Sequence, residues 1–220
     1  MRDRLKGLYA ITPECADTVD LVSRVERCLE GGAALVQYRA KSAGPELALE
    51  QAKALVALCR SFRVPLIVND SIELAAASGA DGVHLGRDDA RLAQARSALP
   101  RAIVGVSCYG DPSLARIAAR DGADYVGIGS VFTSPTKPHA VRASLAALGE
   151  ARRLSGLPVA AIGGITLDNA DEALAAGADM LAVITALFDA PDVRGAARAF
   201  SNRFDKAIRE ARGPAQQRAF

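Results

Sequence analysis

The chain has no tryptophan, and aromatic residues make up only 5% of its 220 positions. That leaves little for a stacking platform of the kind single-stranded nucleic acids use. Charge of one sign is also missing: 27 basic residues meet 25 acidic ones for a net charge of +2, with no block of lysine or arginine. A nucleic-acid partner is therefore not implied. No apolar run approaches the roughly 18 residues of a membrane span, because Gly, Asp or Arg interrupts each one. Met1 to Leu8 carries Arg2, Arg4 and Lys6, but the apolar run that follows stops at Thr12 and Pro13. It is too short for the core of a signal peptide, so neither membrane nor export is expected.

Cysteine and histidine are scarce in the ways that matter for metals. Cys15, Cys28, Cys59 and Cys108 have no CxxC spacing, which argues against a zinc site or a redox pair and reads as reduced thiols in a cytoplasmic protein. The two histidines differ in setting: His84 closes an apolar run and His139 stands alone in a loop. Neither a catalytic triad nor a paired-histidine metal site can be assembled from them, and His84 reads as a hydrogen-bonded interior residue.

What is present is repetition. A glycine-containing turn leads into apolar residues at Gly32-Ala33-Ala34-Leu35-Val36, Gly79-Ala80-Asp81-Gly82-Val83, Gly122-Ala123-Asp124-Tyr125-Val126 and Gly177-Ala178-Asp179-Met180-Leu181. Glycine ends a helix in the left-handed conformation, and the run after it fits a strand buried on both faces. Proline opens two more such runs, Val64-Pro65-Leu66-Ile67-Val68 and Leu157-Pro158-Val159-Ala160-Ala161, where a missing ladder donor costs least. Between the runs lie stretches of helical period, such as Glu46 to Arg60.

The pattern predicts strands near 7–11, 34–38, 65–69, 82–85, 102–106, 123–128, 158–162 and 180–184, each followed by a helix. Such alternation indicates an α/β fold with a parallel sheet. Eight units in this length suit a closed (β/α)8 TIM barrel. An open doubly wound sheet shares the periodicity, but no GxGxxG follows the first strand. Residues 1–212 form the single barrel domain, with a last helix from Pro191 to Arg212 stopped by Gly213-Pro214, and 213–220 form a flexible tail.

In such barrels the chemistry sits on the loops that follow the strands. After the second strand, Gln37, Arg39 and Lys41 alternate onto one side. Arg and Lys together suit a diphosphate, or they are two charges of a solvated loop. Asn69-Asp70 follows the third strand and Asp88-Asp89 the fourth. Asp70 with one of Asp88 or Asp89 could hold Mg2+, which takes one or two carboxylates plus phosphates and water; alternatively each acid caps a helix. Ser107 follows the fifth strand, and the sixth leads into Ser130 to Pro138, a hydroxyl-rich stretch containing Lys137. It reads as an anion-wrapping loop or an ordinary Ser/Thr/Pro turn. Gly163-Gly164 and Ile184-Thr185 end the seventh and eighth strands, the usual phosphate corner of this architecture.

In order along the chain, QxRxK at Gln37 to Lys41, Asn69-Asp70, GVHLGxxD at Gly82 to Asp89, GVSC at Gly105 to Cys108, the hydroxyl–lysine loop and IGGI at Ile162 to Ile165 resemble the thiamine-phosphate synthase family. The likeness extends from Leu8 to Thr185. It implies a transferase that couples 4-amino-5-hydroxymethyl-2-methylpyrimidine diphosphate to hydroxyethylthiazole phosphate, giving thiamine monophosphate and diphosphate. By the family's pattern Gln37, Arg39, Lys41, Asn69 and Lys137 would hold the pyrimidine diphosphate, Asp70 and Asp89 would ligate Mg2+, and Ser107 would lie by the pyrimidine. Ser134 and Thr136, with Pro135 between them, would hold the thiazole phosphate, which Gly164, Ile184 and Thr185 would cradle. Arg39, Lys41, Ser107 and Lys137 would carry catalysis. Arg87, Ser134 and Thr185 depart from the family's commonest residues there, which are Gln, Thr and Ser.

Two rivals share parts of this pattern. A thiazole tautomerase of the same fold would handle only the thiazole phosphate, and Gln37, Arg39, Lys41, Asp70 and Asp89 argue against it. A non-catalytic sensor of phosphorylated ligands would show no turnover. The partners implied are phosphorylated small molecules; a homo-oligomer is compatible with the sequence but not specified by it.

Overall fold

Eight short parallel strands close into a barrel in sequence order, β1 pairing with both β2 and β8. The strands are β1 (Gly7–Ile11), β2 (Leu35–Tyr38), β3 (Leu66–Asn69), β4 (Gly82–Leu85), β5 (Ile103–Tyr109), β6 (Tyr125–Gly129), β7 (Val159–Ile162) and β8 (Met180–Val183). Between them run α1 (Thr18–Glu30), α2 (Pro45–Phe62), α3 (Ile72–Ser78), α4 (Asp89–Ala98), α5 (Pro112–Arg120), α6 (Ala146–Ser155) and α7 (Ala170–Ala175), followed by α8 (Thr185–Phe188) and α9 (Val193–Arg212). The computed structural model describes residues 5–86, 89–133 and 142–212. The expected tail at 213–220 lies outside them. No described helix is long and apolar enough to cross a membrane.

Both faces of the strands are buried, which is why they read as unbroken apolar runs. Val36, Val68, Val83, Leu85, Val104, Val126 and Ile128 face outward and pack under the helices. Tyr9, Leu35, Ile67, Ile103, Tyr125 and Met180 fill the interior. The repeated glycines behave as the sequence suggests: Gly32, Gly79, Gly122 and Gly177 all have φ between 72° and 104° and turn the chain from helix to strand.

Two features depart from the expected pattern. β5 continues to Tyr109 rather than ending near 106, because a register shift between Ser107 and Tyr109 lets it keep pairing with β6. Ser107 is therefore a strand residue. After β8 a single turn, α8, precedes the long last helix, which starts at Val193 and buries Val193, Ala197, Phe200 and Phe204 against the barrel.

Candidate active site

The C-terminal ends of the strands bring most of the described candidate residues to one rim. Gln37 lies in β2, with Arg39 just beyond; Asn69 ends β3, Ser107 lies in β5, and Ile184 follows β8. Gln37 is buried, Arg39, Asn69, Asp70, Ser107, Gly164 and Ile184 are partly exposed, and Lys41 and Thr185 are exposed.

The loop after β2 is held by residues after β1. The Thr12 amide donates to the Gln37 carbonyl at 2.9 Å, and the Thr12 hydroxyl accepts from the Arg39 amide at 2.9 Å. Glu14 accepts from the amides of Lys41 and Ser42 at 2.8 and 3.2 Å and from the Ser42 hydroxyl at 2.6 Å, and its carboxylate lies 3.6 Å from the Arg39 guanidinium. Burial alone would raise the Glu14 pKa, but these donors and the Arg39 charge outweigh it and hold the carboxyl below its ordinary range. The two-residue alternation applies only to Gln37, since β2 ends at Tyr38; Arg39 and Lys41 owe their placement to this clamp.

Asp70 sits at φ 62°, in the left-handed region, with its amide bonded to the His84 carbonyl at 2.8 Å. Ser71, rather than Asp70, caps α3: its hydroxyl accepts the Leu74 amide at 3.0 Å. The Asp70 carboxylate is thus released from a capping role, and Asn69 Nδ2 steadies its Oδ2 at 2.7 Å. The Arg91 guanidinium donates to the Asp70 carbonyl. One steadied carboxylate at the rim matches the hard oxygen donor that Mg2+ requires. Among the described residues no group of three or more His, Cys, Asp or Glu is gathered as a metal site. Asp89 opens α4, on the neighbouring strand–helix unit. Arg87, Asp88, Ser134, Pro135, Thr136, Lys137 and His139 lie outside the described residues.

At the opposite side of the rim, Gly163 and Gly164 take φ of 94° and 64°. A Cβ on Gly163 would lie 2.1 Å from Ser130 Oγ, and one on Gly164 2.2 Å from the Thr133 carbonyl. Glycine is required by both the turn and the approach of the β6 loop. Asn169 Nδ2 fixes the turn through the Gly164 carbonyl at 2.9 Å. Ile184 and Thr185 follow β8, the strand paired with β7.

Below the rim, two tyrosines that the sequence pattern does not mark occupy the interior. Tyr9 and Tyr125 are fully buried, with their hydroxyls 2.7 Å apart. Gln37 Nε2 donates to Tyr9 at 2.6 Å, while His84 bonds Tyr125 through Nδ1 and Ser107 Oγ through Nε2, both at 2.9 Å. The signal lay in parity: Tyr9 and Tyr125 stand on the same strand faces as Ile11 and Gly127, and two phenols inside a small barrel must find partners.

The model of the thiamine monophosphate synthase family matches residues 8–187. Thiamine-phosphate synthase of Aromatoleum aromaticum is 54% identical over 203 residues, which cover 92% of this chain and 98% of the relative. The enzyme of the same name from Thiobacillus denitrificans is 55% identical over 205 residues, covering 93% and 97%. Among solved structures, thiamine phosphate pyrophosphorylase from Pyrococcus furiosus superposes with a TM-score of 0.83 at 37% identity, covering 94% of this chain and 98% of that one. 3-Hexulose-6-phosphate synthase, at 20% identity and a TM-score of 0.65, shares the fold.

Proposed function

Because the chain belongs to the thiamine monophosphate synthase family, we propose that it is a transferase joining 4-amino-5-hydroxymethyl-2-methylpyrimidine diphosphate to hydroxyethylthiazole phosphate, with release of diphosphate. The observation that carries the reading is the pairing, on one barrel rim, of a cationic β2 loop beside the steadied Asp70 carboxylate with a glycine turn across the mouth.

In this scheme Arg39 and Lys41, with Lys137, bind the diphosphate and stabilise the charge that grows on it as the carbon–oxygen bond breaks. Stabilisation of developing charge is commonly the largest catalytic contribution. Asp70 and Asp89 would hold Mg2+, which supplies further positive charge to the leaving group when bound. Gln37, Asn69 and Ser107 hold the pyrimidine. Gly164, Ile184 and Thr185, together with Ser134 and Thr136 around Pro135, hold the phosphate of the thiazole, so that its ring nitrogen is fixed near the electrophilic methylene. The nitrogen lone pair forms the new bond while the diphosphate takes the electrons of the old one; no proton is removed, so no general base is required.

The test follows diphosphate release with each substrate alone and with the pair in Mg2+. Release and thiamine phosphate are expected only with the pair. Conversion of the thiazole phosphate alone would favour the tautomerase reading, and binding without turnover the sensor. Asp70→Asn keeps a residue that tolerates the left-handed backbone and removes one charge; it is expected to lower turnover about 100-fold or more.

A further inference from the structure

Tyr109 differs from the chain's other three tyrosines. Tyr9, Tyr38 and Tyr125 are buried, whereas Tyr109 ends β5 at the rim and is 49% exposed. Its backbone takes φ 51°, in the left-handed region. A bulky side chain there is an outlier that costs stability. With about half of the ring in water, burial offsets little of that cost. A strained residue that the fold does not need for packing points to a role at a ligand site.

The strand and its neighbour aim the ring. Ser107 pairs with Gly127 and Tyr109 with the next residue, Ile128, so Cys108 is an inserted residue. Cys108 packs outward under the helices with Val104 and Val106, which leaves Ser107 and Tyr109 on the inward side. The second fix comes from Gly86, the first residue past β4. A Cβ built there would lie 3.9 Å from the Tyr109 hydroxyl oxygen. In β4, Val83 and Leu85 pack outward and His84 turns to the interior, so the position of that Cβ is on the inner side of the mouth. The ring therefore reaches from the end of β5 toward the end of β4, two residues above Ser107 and beside the stretch that leads to Asp89. The Gly163-Gly164 corner lies across the barrel.

We propose that Tyr109 is a substrate-contacting residue of the pyrimidine site, its ring covering the bound pyrimidine from the solvent side. A flat heterocycle and a phenol ring then leave water together, while the hydroxyl can stay at the wet edge. The inference deepens the proposed function and rests on it for the identity of the ligand.

The contact can be read without turnover. Full-length protein carrying 3-fluorotyrosine contains four labelled rings, and Tyr109→Phe assigns the one of interest. In the free protein its fluorine signal is expected to move most between H2O and D2O, since the other three rings are buried. Saturating pyrimidine diphosphate with Mg2+ is expected to suppress most of that solvent shift, and thiazole phosphate alone to leave it. A solvent shift that persists while calorimetry shows the pyrimidine diphosphate bound overturns the contact and leaves the proposed function standing. Failure of the pyrimidine diphosphate to bind at all brings down both. Tyr109→Asn separates contact from support, because Asn tolerates the left-handed backbone. Its denaturant midpoint is expected at or above that of wild type, with KM for the pyrimidine diphosphate raised about tenfold. KM for the thiazole phosphate and kcat are expected to stay within about twofold. A lower midpoint with unchanged KM would make Tyr109 a structural residue and overturn the proposal.

Discussion

One carboxylate, Glu14, organises the stretch that carries Arg39 and Lys41, and it lies outside the motif that marks that stretch in the sequence. It ties down two amides and a hydroxyl in a loop that has no strand partner past Tyr38. Its ion pair with Arg39 is partly exposed and contributes little by itself; the ordering of the backbone is its larger effect. Glu14→Ala is expected to raise KM for the diphosphate substrate about three- to tenfold while kcat stays within about twofold, the pattern of lost ground-state positioning. The carboxyl's pKa is depressed in the folded protein. Its stabilisation is therefore complete above the unfolded value, about 4.3, and is lost as pH falls through the lower folded one. The denaturant midpoints of wild type and Glu14→Gln are expected to differ by a constant amount near neutrality and to converge in acid.

At the scale of elements, the Gly-Ala-Asp phrase does more than turn the chain. Asp81, Asp124 and Asp179 each grip a residue at the start of the preceding strand twice. The Asp81 amide donates to the Leu66 carbonyl at 2.9 Å and its Oδ2 accepts the Leu66 amide at 2.9 Å. Asp124 does the same to Val104 at 2.8 and 2.9 Å, and Asp179 to Val159 at 2.8 and 3.1 Å. The phrase's first copy has Ala34 in that place and lacks the side-chain half of the grip. The sequence shows the repeat, the glycines and the strands, but an acid in a turn looks solvated until its partner strand is known. Asp124 also receives Arg96 Nη2 at 2.5 Å, and Arg96 reaches the carbonyls of Ala102 and Gly122, stitching α4 to the foot of β5 and β6. Asp124→Ala would strand the Val104 amide and lose the Arg96 contact, a cost of about 2–3 kcal/mol. The urea midpoint should fall with an unchanged slope, and kcat/KM should hold, because this end of the barrel lies opposite the rim.

Across the whole molecule, closure was readable because it follows from counting: eight strand–helix units, with every strand apolar on both faces, leave no edge to expose. The rim was readable wherever polarity breaks an apolar run at a strand's end, as at Gln37, Asn69 and Ser107. The interior tyrosines and Glu14 were not, since their hydrogen-bond partners are 27 to 116 residues away in sequence. The same distribution separates stability from chemistry. The barrel is held by its closed ladder, its two apolar layers and the aspartate grips at the foot, while the proposed cation meets one steadied carboxylate at the mouth. Cys28, Cys59 and Cys108, whose thiols burial pushes up to about 12, pack as apolar filling. Removing divalent ions with a chelator is therefore expected to abolish diphosphate release, which Mg2+ restores, and to leave the thermal midpoint within about 1 °C, since a ligand bound weakly without substrate adds little stability. A fall of several degrees on chelation would mean that the metal helps hold the barrel together, and the division between foot and mouth would fail.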